Sequence, residues 1–150
     1  ETGCLAEMVR AKGARGHRVA TMPVPREQVS RYGILAAHQG VGPTVTAHGI
    51  VEKPSPEDAP STLAVVGRYV LEPEIFTALA HTAPVTGGEI QLTDAIAATT
   101  RLLGLTGVMF TGARYDCGSK DGLLAAIIAR ASQFREYDHV FADRSRVQAA

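Results

Sequence analysis

The stretch S-T-L-A-V-V-G-R-Y-V-L, residues 61–71, decides the fold. Read as an extended chain, it puts Leu63, Val65, Tyr69 and Leu71 on one face and Ala64, Val66 and Val70 on the other. A strand that is apolar on both faces is covered on both, so this segment predicts a central strand between helical layers. Its one irregularity is Gly67, which weakens a strand interior. Gly67 marks either a bulge or a place where a ligand or another backbone comes close to Val66.

Outward from this strand, β-rich runs alternate with helical patterns. G-H-R-V-A-T-M-P-V (16–24), V-T-A-H-G-I-V-E-K-P (45–54) and T-G-V-M-F-T-G-A-R-Y-D (106–116) read as strands, with a short one around Tyr32 to Leu35 after a turn. Helical spacing appears in C-L-A-E-M-V-R-A-K-G (4–13), where Leu5, Met8 and Val9 share a face and Gly13 follows as the terminator. It recurs in E-P-E-I-F-T-A-L-A-H-T (72–82), with Pro73 near its start. It is extended in E-I-Q-L-T-D-A-I-A-A-T-T-R-L-L (89–103), through Leu92, Ala95, Ile96, Thr99, Leu102 and Leu103. The clearest stripe is Leu123, Leu124, Ile127, Ile128 and Ala131 in 119–134, with Ser119 as N-cap. The alternation predicts an α/β layer fold with a mixed sheet and flanking helices. One body is expected over 1–139, and a loose tail over 140–150.

Bulk composition narrows the function classes. Fifteen basic and fifteen acidic residues leave no formal net charge, which argues against a nucleic-acid partner bound through a strongly basic surface. The apolar runs fall short of the roughly 20 residues that span a bilayer, and no signal-peptide pattern opens the sequence. Cys4 and Cys117 lack paired spacing, so free thiols in the cytoplasm are expected. Dinucleotide, Walker, zinc-protease and nucleophile-elbow motifs do not occur.

Four blocks can carry chemistry. In G-I-V-E-K-P-S-P-E-D-A-P (49–60) Glu52 and Lys53 stand where a strand ends. A carboxylate there can accept hydrogen bonds from sugar hydroxyls, and a lysine can neutralise a phosphate. A solvated ion pair beside a turn is the commoner outcome for such a dipeptide. In R-Y-D-C-G-S-K (114–120) Asp116 is either a ligand for a hard cation such as Mg²⁺ or a turn-former. G-G-E-I-Q-L-T-D-A-I (87–96) gives a tight approach to a helix and reads as structural. The fourth block is Val66–Gly67.

In chain order, V-P-R-E-Q-V-S-R-Y-G-I (24–34), V-E-K-P-S-P-E-D-A-P-S-T-L-A-V-V-G-R-Y-V-L (51–71), G-G-E-I-Q-L-T-D-A-I and R-Y-D-C-G-S-K resemble the bacterial UTP–glucose-1-phosphate uridylyltransferases, a family of sugar-1-phosphate nucleotidyltransferases. The likeness runs from about Val24 to about Ala129. It implies a Rossmann-like mixed sheet of the nucleotide-diphospho-sugar transferase type and Mg²⁺-assisted chemistry. UTP and glucose 1-phosphate would give UDP-glucose and pyrophosphate. It implies that Glu52 binds glucose hydroxyls and that Lys53 binds the sugar phosphate and serves catalysis. Tyr32–Gly33 and Val66–Gly67 would contact the sugar through backbone, and Asp116 would lie on the metal side. It also implies a homo-oligomer.

The sequence departs from the family pattern in lacking the glycine-rich nucleotide loop and the first metal-side aspartate, both of which belong to an amino-terminal half. The expectation is a sugar-side half with its first strands missing, an open sheet edge, and little activity alone. A non-catalytic sugar-phosphate-binding module is the competing function, and dTTP the competing nucleotide.

Overall fold

The computed structural model describes residues 3–11, 16–37 and 42–142. Gly13, most of the loop beginning at His38 and the tail beyond Ala142 lie outside them. The chain divides into two compact units, Glu1–Gly112 and Ala113–Ala150, where the sequence predicts one body to residue 139.

The first unit contains α1 (Cys4–Arg10), β1 (His17–Pro23), a 3-10 helix (Arg26–Arg31), β2 (Gly33–Ala37), β3 (Thr44–Glu52), β4 (Leu63–Val70), α2 (Glu74–His81), α3 (Leu92–Leu103) and β5 (Leu105–Met109). The strands run β1-β4-β2-β3-β5 and close on themselves, because β5 pairs with β1. That closing pair is parallel and the others are antiparallel, so the sheet is mixed. β3 manages closure by serving two neighbours: its first half pairs with β5 and its second with β2.

Two devices let so short a ring close. Gly107 is buried inside it, and a Cβ there would lie 2.6 Å from Leu35 Cδ1 and 2.8 Å from Val45 Cγ1. β2 and β4 meet at one residue pair, Ile34 with Ala64. Ser61 extends that junction: its hydroxyl donates to the Leu35 carbonyl at 2.7 Å and accepts from the Leu63 amide at 3.0 Å.

The two faces of β4 are those its sequence predicts. Leu63, Val65, Tyr69 and Leu71 enter the main core with Val19, Leu35, Ile50, Ile75, Ala95 and Ile96, beneath α2 and α3. Val66 and Val70 pack with Met8, Ala20 and Val108 on the α1 side. Between the pairs Thr21–Val65 and Val19–Tyr69, β1 spends one residue and β4 three, a bulge centred on Gly67 with φ of 74°. An even number of extra residues preserves the alternation of faces.

His17 ties three elements together at the start of β1. Its Nδ1 accepts from the Glu72 amide at 3.2 Å, which places the ring proton on Nε2, 2.9 Å from Thr99 Oγ1. Glu72 in turn accepts the Gly16 amide at 2.9 Å.

The structure corrects several expectations. Each strand of the first unit has a partner on both sides, so the open sheet edge does not occur among the described residues. The most exposed apolar side chains lie on helices: Phe76 is 75% and Leu102 84% exposed. In α1 only Met8 is buried, and Leu5 and Val9 face outward. α3 begins at Leu92, so Glu89 precedes the helix and Asp94 is its first-turn acid. β5 ends at Met109, well short of Asp116.

The second unit holds α4 (Lys120–Ala131), a 3-10 turn (Arg135–Tyr137) and α5 (Asp138–Ala142), so helix continues into the segment expected to be loose. Ser119 caps α4 as expected, its Oγ accepting the Gly122 amide at 3.1 Å. The α4 stripe is not a core stripe, since Leu123, Leu124, Ile127 and Ile128 are all exposed. Ile127, Ala131, Phe134, Tyr137, Val140 and Phe141 line an apolar groove of about 710 Å³ in this unit. Both cysteines are free.

Candidate functional site

β2 and β3 pair antiparallel in a register that sets Gly33 opposite Glu52. The ladder continues one step beyond the strand, where the Lys53 amide donates to the Tyr32 carbonyl at 3.0 Å. At Lys53 the backbone turns left-handed, with φ of 43°. This turn overrides the alternation that would send adjacent side chains to opposite faces. Glu52 and Lys53 instead come together, Oε1 to Nζ at 3.8 Å. Lys53 is 62% exposed and Glu52 27%, so the carboxylate sits at the base and the ammonium at the rim. A non-glycine residue in this conformation carries strain, and such strain clusters where geometry serves a ligand.

Gly33 supplies the floor. A Cβ there would lie 3.1 Å from Glu52 Oε2 and 3.2 Å from Thr93 Cγ2. The missing side chain leaves the Glu52 carboxylate and the first turn of α3 both close to bare backbone. Thr93 is 7% exposed, and its Oγ1 is buried without a hydrogen-bond partner among the described residues. A buried hydroxyl left unpaired costs about 1–3 kcal/mol, so an orphan next to a carboxylate and a glycine floor fits a group completed by ligand.

Tyr69, from β4, is the other neighbour of Glu52. Burial pushes its phenol above the ordinary 10.0, and the Glu52 carboxylate pushes it further.

The structure therefore unites Tyr32, Gly33, Glu52 and Lys53 and adds Thr93 and Tyr69. Val66 packs its side chain on the α1 side, and Gly67 at the bulge has open space where a Cβ would stand. Asp116 belongs to the second unit, where its Oδ1 accepts the Gly118 amide at 3.1 Å and its carbonyl accepts the Ser119 amide at 3.3 Å. The turn-forming role is thus realised there. Among the described residues no three His, Cys, Asp or Glu side chains converge on a metal-sized space. A Mg²⁺ ion fits one carboxylate of this chain if phosphate and water complete its shell.

Sequence reading missed Thr93 because a threonine in the first turn of a helix is unremarkable by composition. The available signal was its place beside the buried stripe of Leu92, Ala95 and Ile96. Tyr69 was read as core, which it partly is.

A glycine-floored carboxylate and lysine thus stand at the end of a strand in a mixed sheet with helices on both faces. Residues 3–133 match the nucleotidyl transferase family, and the chain belongs to it. It is 47% identical over 118 residues to the UTP–glucose-1-phosphate uridylyltransferase of Komagataeibacter xylinus, covering 78% of this chain and 42% of that protein. Among solved structures, the UTP-bound UGPase from Acinetobacter baumannii is 33% identical with a TM-score of 0.77, covering 93% of this chain and 50% of that one. A UDP-glucose pyrophosphorylase complexed with UDP-glucose is 39% identical with a TM-score of 0.71, covering 79% and 45%. The chain thus spans half or less of these relatives. No described helix is long and apolar enough to cross a membrane.

Proposed function

We propose that this chain is the sugar-1-phosphate side of a UTP–glucose-1-phosphate uridylyltransferase. The observation that carries the proposal is the left-handed turn at Lys53, which brings Glu52 and Lys53 to one side above Gly33. In the proposed reaction a phosphate oxygen of glucose 1-phosphate attacks the α-phosphorus of UTP. The bond to the β-phosphate oxygen breaks, and UDP-glucose and pyrophosphate are the products.

Such a displacement asks the protein for positioning and charge neutralisation. Glu52 accepts hydrogen bonds from glucose hydroxyls, and Thr93 Oγ1 gains the partner it lacks. The strand-end backbone at Gly33 and the bulge at Val66–Gly67 approach the ring without side chains in the way. Lys53, exposed and cationic, meets the sugar phosphate and offsets charge that gathers as two phosphates approach. A bound Mg²⁺ would supply charge neutralisation for phosphate oxygens, and Asp116 is the residue of this chain that would hold it. The proposal includes a cytoplasmic homo-oligomer, which the exposed Phe76 and Leu102 support.

Calorimetry with glucose 1-phosphate tests the reading on this chain. Binding by the wild type, weakened at least about tenfold (1.4 kcal/mol) in Lys53→Ala, is the expected result. Absence of binding in the wild type, or equal binding by Lys53→Ala, would overturn it.

A further inference from the structure

Among the described residues Lys53 alone combines a side chain with a left-handed backbone. It also precedes a proline, a position that favours extended φ and ψ. Two local preferences therefore oppose its geometry, and something in the fold must hold it.

The 3-10 helix Arg26–Arg31 touches the turn from one end and the segment that follows the turn from the other. Just past its last residue, the Tyr32 carbonyl accepts the Lys53 amide at 3.0 Å. From its first residue, Arg26 Nη2 donates to the Ala59 carbonyl at 3.0 Å. Between these two anchors the chain is knotted on itself. The Ala59 amide donates to the Ser55 carbonyl at 3.0 Å, and Ser55 Oγ donates to Asp58 Oδ2 at 2.7 Å. Pro54 is buried, and Ala59 joins Val24, Val29, Ile34 and Ala64 in a small core beneath the helix.

We propose that Arg26 is a positioning residue for Lys53. By fixing Ala59 it closes a clamp whose other jaw is the Tyr32 carbonyl, and the segment between the jaws holds Lys53 in its strained turn. The Arg26 side chain reaches no proposed ligand and acts through backbone. A hydrogen bond from a charged donor to a part-buried carbonyl is strong enough to matter at this scale.

The consequence for the ligand rests on the sugar-phosphate reading above; the consequence for the backbone does not. Arg26→Gln and Arg26→Lys are compared with wild type by amide hydrogen exchange and by glucose 1-phosphate calorimetry. In Arg26→Gln the Lys53 amide is expected to exchange roughly tenfold faster, with Val19 and Val108 unchanged, and affinity to fall roughly fivefold. Arg26→Lys, which keeps a cationic donor, should recover most of both. Unchanged exchange at Lys53, or acceleration spread equally over β1 and β5, would overturn the clamp. Wild-type chain that binds no glucose 1-phosphate refutes the sugar-phosphate reading, and the exchange pattern then still decides the clamp.

Discussion

Glu52 and Lys53 are neighbours in the chain, yet their charged groups stand 3.8 Å apart because Lys53 turns left-handed. An ion pair this exposed contributes roughly 0–1 kcal/mol, so stability does not explain the turn. The turn itself costs the fold about 1–2 kcal/mol for any residue with a Cβ. Lys53→Gly should therefore be more stable than Lys53→Ala by about 1 kcal/mol, although both lack the ammonium and both should bind glucose 1-phosphate poorly. Urea unfolding of the two variants measures the difference, and equal midpoints would show that no strain is stored there.

Thr93 offers the reverse trade. Replacing a buried, unpartnered hydroxyl with a methyl removes its desolvation penalty, so Thr93→Val should raise stability by about 1 kcal/mol. The same change should weaken glucose 1-phosphate binding several-fold. Thermal unfolding and calorimetry on one preparation test both signs at once.

Tyr69 reports on Glu52 without any ligand. Its phenol titrates above 10.0, by burial first and by the Glu52 carboxylate second. Glu52→Gln should lower that value only part of the way, because burial remains. Phenolate absorbance, with Tyr69→Phe as the blank, follows this residue among the four tyrosines.

His17 predicts a pH dependence of stability. Burial holds its folded-state pKa below the usual 6.5, and the Glu72 carboxylate partly opposes the shift. As pH falls the unfolded chain takes up the proton first. The contribution is thus complete above about 6.5 and is lost as pH drops through the lower folded-state value. Protonation at Nδ1 would also set a donor against the Glu72 amide. Melting temperature should fall between neutral and mildly acidic pH, and His17→Gln should flatten that part of the profile.

Gly107 is needed for the ring. An alanine there meets Leu35, Val45 and Thr21 at once, and overpacking of this kind typically costs about 1–3 kcal/mol. Leu35→Val in the Gly107→Ala background should recover part of the loss, as denaturant midpoints would show.

Local pattern carried much of this fold. The two-faced β4, the stripe of α3 and the Ser119 cap were all legible, because each depends on residues a few positions apart. Ring closure was not, since it rests on β1 meeting β5 and on a glycine whose need is visible only beside Leu35 and Val45. The α4 stripe shows the limit of periodicity: Leu123 and Ile127 repeat as a buried face does, yet both are exposed. At the site, Gly33 came only from the family resemblance, whereas Glu52 and Lys53 could be singled out from residue type and the strand end. The sign of φ at Lys53 could not, nor could the missing partner of Thr93, because both arise from contacts between distant segments.

His17 lies beside Leu105 in a parallel pair, so β1 waits for nearly the whole first unit before it gains its last neighbour. During synthesis, a nascent chain that has not yet released β5 from the ribosome carries β1 and β3 with unsatisfied amides and carbonyls. Unpaired strand edges of this kind favour aggregation, and a chaperone that covers them would act in that interval.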